Sequence, residues 1–216
     1  MNVGKSKLMR CSRYGNGDRM HVILNGEPLE EVDCFKYLGL QLASDGGCER
    51  DVVQRINGGY RAWGGLKSVL SNRGLGIKAK KCLYEEVFVP TALYGAEALA
   101  MRSAERRKVN VLEMKCLRSM VGVSRRDRVR NEEVRRRAGI ERELESRADH
   151  RVLRWFGHVE SMDVHRMARR VLMAEVSGGR VRGRPRLGWM DGVKVALGNR
   201  GITVEAERQC AKDRKA

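Results

Sequence analysis

Val52, Ile56, Tyr60, Trp63, Leu66 and Leu70 recur at intervals of three or four residues, the period of one face of an α-helix. An apolar stripe this long needs cover along its whole length, which commits the chain to a bundle of packed helices. Ser44 or Asp45 stands before it as an N-cap, and Asn72-Arg73-Gly74 stops it. Two later patterns supply the cover. A helix from about residue 78 brings Leu83, Val87, Leu93 and Tyr94 inward, with Pro90 predicting a kink or break. Another follows Ser103, opens on a cap-like Ser-Ala-Glu-Arg run and aligns Val109, Leu112, Cys116, Leu117 and Met120.

Ahead of these helices lie two strand-like runs. Met20-His21-Val22-Ile23-Leu24 leads into Asn25-Gly26, the strongest short turn signal, and residues 34–42 alternate apolar with polar or small positions. The predicted element is an N-terminal β-hairpin. Its alternation sets Phe35, Tyr37 and Gly39 on one face against Lys36, Leu38, Leu40 and Leu42 on the other. A lone hairpin is not stable in water, so this one belongs to a larger sheet or packs on helices.

Beyond Gly122 the composition turns basic. Arg125-Arg126-Asp127-Arg128-Val129-Arg130 reads as a connector. A short helix follows, with Asn131 as its cap, Glu132 and Glu133 in its first turn, Arg135, Arg136 and Arg137 in its last and Gly139 as its stop, all in accord with the helix dipole. From about residue 143 another helix aligns Leu144, Ala148, Val152 and Trp155, and Gly157 bends or ends it. A basic helix over about residues 164–176 turns Met167, Val171 and Leu172 inward, and the Gly- and Arg-rich residues 177–186 are irregular. A short helix spans residues 189–197, and the charged last residues fray. The fold class expected is mainly α with an N-terminal β-hairpin, divided into residues 1–45, 46–122, 123–176 and 177–216.

Lys and Arg total 44 against 27 Asp and Glu, a formal charge of +17 that points to a polyanionic partner. Much of the excess is Arg, which forks onto phosphate and stacks on bases, so nucleic acid is expected rather than a membrane surface or a small-molecule substrate. A basic protein of ribosomal type shares these numbers. The candidate contacts are Arg125, Arg126, Arg128, Arg130, Arg135, Arg136, Arg137, Arg154, Arg182, Arg184 and Arg186. No apolar run reaches the length of a spanning helix and no signal peptide precedes the fold, which leads to the expectation of an intracellular, nuclear protein. Cys11, Cys34, Cys48, Cys82, Cys116 and Cys210 form no C-x-x-C pair, and His21, His150, His158 and His165 have no partner at ligand spacing, so no metal or cofactor is expected.

Five segments in order, Asn2-Val3-Gly4-Lys5-Ser6-Lys7, Val32-Asp33-Cys34-Phe35-Lys36-Tyr37-Leu38-Gly39, Leu93-Tyr94-Gly95-Ala96-Glu97, Arg154-Trp155-Phe156-Gly157-His158 and Arg182-Gly183-Arg184-Pro185-Arg186, resemble the end of the reverse-transcriptase domain of non-LTR (LINE-type) retrotransposons and the region after it. The resemblance implies a palm remnant whose hairpin, through Phe35, Lys36, Tyr37, Leu38 and Gly39, is the primer grip. It further implies a helical thumb over residues 46–122 and a basic C-terminal region, with Lys5 near the incoming triphosphate. Polymerisation needs paired carboxylates that hold two metal ions, and this chain has no adjacent aspartates. In the family that motif lies upstream, so the chain is expected to bind template, primer or target without catalysing extension by itself. Two departures, Ala96-Glu97-Ala98-Leu99 for the usual Ala-Glu-x-Trp and an end at Asp213-Arg214-Lys215-Ala216 short of a usual Trp, suggest a decayed or truncated copy. A domesticated DNA-binding protein and an inert remnant are the alternatives.

Read without the resemblance, several of these residues have plainer roles. Phe35, Tyr37 and Leu38 fit a core, as do Tyr60 and Trp63 at helical spacing, and Lys5 fits a solvated surface. Trp155 sits on an apolar face and reads as core, although aromatics interleaved with Arg also suit stacking on unpaired bases. His158 reads as a structural hydrogen-bonding residue. Arg182-Gly183-Arg184-Pro185-Arg186 is either a basic linker or an AT-hook-like strip for a narrow minor groove.

Overall fold

The computed structural model describes residues 3, 6–11, 20–37, 39–47, 49–174 and 187–213. Lys5, Leu38, Arg182, Arg184 and Arg186, with the AT-hook-like strip, lie outside the described residues. The described chain is mainly helical, with a few short strands near the N-terminus, and divides into two compact units, residues 1–54 and 55–216.

In the first unit the strands pair two by two: β1 (Lys7–Leu8) runs parallel to β4 (Glu30–Glu31), β2 (Ile23–Leu24) antiparallel to β3 (Glu27–Pro28), and β5 (Cys34–Tyr37) antiparallel to β6 (Leu40–Ala43). The single hairpin expected over residues 20–42 is therefore replaced by two. Asn25 and Gly26, at φ of 53° and 85°, make a tight turn that returns the first run onto Glu27–Pro28 at once. The second run folds back on itself around Gly39, at φ of 84°. That reversal overturns the expected faces. Phe35 pairs with Leu42 and Tyr37 with Leu40, so these four share one face, whereas an unbroken strand would have opposed them.

Helix α1 (Glu49–Leu70) starts later than the sequence suggested. Asp45 accepts a bond from the Gly47 N–H at 2.9 Å and so closes a local turn, while Glu49 and Asp51 supply negative charge to the first helical turn. Asp51 is 2% exposed and accepts the Gln41 N–H at 2.9 Å, which ties the β5–β6 hairpin to the helix start.

In the second unit, α2 (Ile77–Leu83) passes through a π-turn (Tyr84–Phe88) into α3 (Val89–Ala92). Pro90 was expected to kink or break this segment. The wide turn instead accommodates its missing N–H and ring, with the Val89 N–H reaching back to the Tyr84 carbonyl. The added residue per turn rotates the helix face. Tyr84, Phe88, Val89 and Leu93 are buried, whereas Val87 and Tyr94, expected inward, are exposed.

Helix α4 (Ser103–Val121) buries Val109, Leu112, Cys116, Leu117 and Met120 as its spacing predicts. Its cap is Arg102, not Ser103: the Arg102 N–H donates to the Glu105 carboxylate at 2.7 Å. Lys80 donates from inside the fold to the Met120 carbonyl at 3.1 Å, a cation on the helix's negative end. α1 approaches closely enough that a Cβ on Gly59 would meet Leu112 Cδ2 at 2.5 Å and Ala92 Cβ at 3.3 Å.

α5 (Asn131–Ala138) follows an Arg130 N-cap, leaving Asn131 Oδ1 to accept from Arg118 at 2.9 Å, and stops at left-handed Gly139. α6 (Leu144–Glu160) runs straight through Gly157. Its inner face joins α8 (Trp189–Gly198) in a core of Val152, Leu153, Phe156, Val193, Ala196 and Leu197. α7 (Met167–Met173) keeps only Leu172 against this core, and Met167 and Val171, expected inward, are exposed. The expected frayed end is α9 (Val204–Asp213), held to α6 by Arg208 on Glu160 at 3.0 Å. No helix among the described residues is long and apolar enough to cross a membrane.

Candidate nucleic-acid interface

α6 has two faces. Leu144, Ala148, Val152, Phe156 and Val159 point inward, and Arg147, His150, Arg151, Arg154, Trp155 and His158, each three or four residues from another of the set, lie along the outer side. Next to that outer stripe runs a groove of about 820 Å³ lined by Lys81, Glu85, Val89 and Leu93 from the α2–α3 segment, by Glu141, Arg142, Ser146, Arg147, His150, Arg151 and Arg154, and by Arg200. Six cations face two carboxylates there.

These cations divide into walls and free groups. Arg147 forks onto Glu85 at 2.5 and 2.7 Å, and Arg151 donates to the Leu93 carbonyl at 2.9 Å, so both clamp α6 to the α2–α3 segment. Burial works against the Arg147 charge, but the Glu85 bonds outweigh it and hold its pKa above the ordinary guanidinium value. Lys81, Arg142, Arg154 and Arg200 are exposed and have no partner among the described residues. Backbone phosphate is the ligand that a row of fixed and unspent cations suits.

The groove continues into a second hollow of about 530 Å³, lined by Glu97, Arg151, Arg154, Trp155 and His158. Trp155, read from sequence as core, is 38% exposed, while its neighbour Phe156 is fully buried. The Trp155 and His158 rings lie 5.5 Å apart, tilted by 47°.

Of the described Arg residues expected to touch nucleic acid, Arg154 alone lines this groove. Arg125, Arg126, Arg128 and Arg130 are exposed on the connector, where Arg125 borders a separate pocket with Arg107, Lys115 and Arg118. Arg136 and Arg137 are exposed but both bond Glu133 at 2.7 Å, which brings that carboxyl down to about 2. Arg135 is buried, bonded to Glu113 at 2.9 Å and to Glu143 at 2.7 Å, and so is not placed for an outside ligand. In the first unit Lys36, Tyr37 and Gly39 are exposed on the β5–β6 hairpin and Phe35 is half-buried. Tyr60 and Trp63 are half-buried, with Lys115 over both rings at 4.8 and 5.7 Å. No three Cys, His, Asp or Glu side chains gather as a metal site among the described residues.

Sequence reasoning missed Lys81, Arg142, Arg151 and Arg200, which come from separate segments. The one signal was the polar stripe of α6, whose spacing complements the apolar one.

No protein-family model matches the chain, and no solved structure matches it. Over 233 residues it is 26% identical to a Caenorhabditis elegans protein described as uncharacterized and transposon-derived, an alignment that covers 100% of this chain and 80% of that protein.

Proposed function

We propose that this chain is a transposon-derived nucleic-acid-binding protein, equivalent to the last palm strands, thumb and basic helical region of a non-LTR reverse transcriptase, which binds in the nucleus and does not polymerise by itself. The observation that carries the binding is the groove beside α6, with Lys81, Arg142, Arg154 and Arg200 unspent along it. A formal charge of +17 on 216 residues adds long-range attraction for any polyanion. The ordered motifs carry the reverse-transcriptase part of the reading. The relative, described only as transposon-derived, supports a transposon origin and no more.

Contacts of this kind reach phosphates and carry little base information, so binding should be sequence-tolerant and salt-sensitive. With six to ten phosphates neutralised, log affinity falls against log salt with a slope of about −5 to −9. Fluorescence anisotropy of a labelled duplex across a salt series measures this, and a flat dependence would overturn the proposal. Primer extension with Mg²⁺ is expected to yield no product; nucleotide incorporation by the purified chain would overturn its non-catalytic part.

A further inference from the structure

The chain has three tryptophans, and their indole N–H groups separate them. Trp63 donates to Ser119 at 3.2 Å and Trp189 to the Glu97 carbonyl at 2.8 Å, each half-buried in the fold. Trp155 has no hydrogen-bond partner among the described residues and turns outward at the end of the cationic groove, beside the exposed His158. The helix supplies Phe156 to the core at the adjacent position, so Trp155 is not needed there. A large flat ring left partly in water, in a hollow shared with Arg151 and Arg154, is the arrangement with which proteins hold unpaired bases: cations on the backbone, aromatic face on the base.

Glu97 also lines this hollow. Its carboxylate has no partner among the described residues, and it is the one acid in a hollow otherwise lined by Arg151, Arg154, Trp155 and His158. A carboxylate repels phosphate and can only accept hydrogen bonds, never donate them, so it sorts the orientation of a nucleotide: phosphate toward the arginines, amino-bearing base edge toward Glu97. Cytosine and adenine present such an amino group. Thymine presents a carbonyl in the same place, which would meet the carboxylate oxygen unpaired.

We infer that this hollow takes one unpaired nucleotide of a single strand, its base stacked on Trp155 and its exocyclic amino group donating to Glu97. The inference rests on the groove reading, which by itself predicts equal treatment of paired and unpaired strands of like charge.

The test uses the full chain and fluorescence anisotropy with labelled oligo-dC, oligo-dT and a blunt duplex at one salt concentration. Wild type is expected to bind oligo-dC more tightly than oligo-dT. Trp155→Ala should weaken single-strand binding by about 5- to 150-fold, the range for one lost stacking contact, with duplex affinity unchanged and Trp155→Phe close to wild type. Glu97→Gln, whose amide can also donate, should bring oligo-dT up to oligo-dC. If Trp155→Ala binds single strands as wild type does while duplex binding stays steeply salt-dependent, the stacking inference falls and the groove stands. Equal weakening of duplex and single strands by Trp155→Ala, with circular dichroism unchanged, would also overturn it. If wild type binds none of the probes, both readings fall together.

Discussion

Glu113 and Arg135 meet inside the protein at 2.9 Å, with side chains 1% and 10% exposed. Glu113 also accepts the Tyr84 hydroxyl at 2.9 Å and the Leu144 N–H at 2.8 Å, so one carboxylate joins the π-turn, α4, α5 and the start of α6. The Leu144 N–H is one of the donors a helix start leaves unsatisfied, and here a neighbouring helix supplies its acceptor.

Glu113→Ala should therefore cost about 3–5 kcal/mol, because it strands Arg135, the Tyr84 hydroxyl and the start of α6 together. A chemical denaturation curve measures this. An Arg135→Met change made with Glu113→Leu removes both charges and should recover the share of the loss that comes from stranding Arg135, the Tyr84 hydroxyl and the Leu144 N–H still lacking their acceptor; a double variant no better than Glu113→Ala would show that the charge pair is not what the site depends on.

Stability should fall on the alkaline side. Burial, with help from Glu113, pushes the Cys116 thiol from 9.0 to about 12 and raises the Tyr84 phenol as well. The folded state thus keeps protons that the unfolded chain releases, so the contribution is whole below pH 9 and drains away as pH rises toward about 12. Melting temperature against pH reads the loss, and Cys116→Ala should flatten part of it. Thiol labelling near neutral pH should reach the exposed Cys11, Cys82 and Cys210 and spare Cys116 until the chain unfolds.

Two kinds of glycine in α1 should answer oppositely to alanine. At Gly59 the new Cβ would press on Leu112 and Ala92, so Gly59→Ala should lose about 1–3 kcal/mol. A Cβ added at Gly64 would meet nothing beyond its own helix within 4 Å, and Gly64→Ala should gain about 0.5–1 kcal/mol from helix propensity. Equal effects at both positions would contradict the close approach of α1 to α3 and α4.

The groove's share of binding can be isolated by changing Lys81, Arg142, Arg154 and Arg200 to Ala together. None has a protein partner among the described residues, so melting temperature should hold while the salt slope for duplex DNA becomes shallower by about 3 to 4. An unchanged slope would move the binding surface elsewhere, the exposed arginines of the 125–130 connector being next in line.

Sequence alone determined the helices whose periodicity is unbroken. The stripes of α1 and α4, and the stop at Gly139, are local matters of side-chain spacing and of a residue free to adopt a left-handed φ. Net charge likewise fixed the class of partner to be expected. Tertiary structure decided what depends on a rotation or on a neighbour. The π-turn before Pro90 changed which side of its helix faces inward, and a reversal at Gly39 regrouped the strand faces. Trp155 and Phe156 are adjacent and both aromatic, and only the rotation of α6 against α8 buried one and exposed the other. Arg135 and Arg154 belong to similarly basic stretches; a buried glutamate from another helix claimed the first, and nothing among the described residues claimed the second.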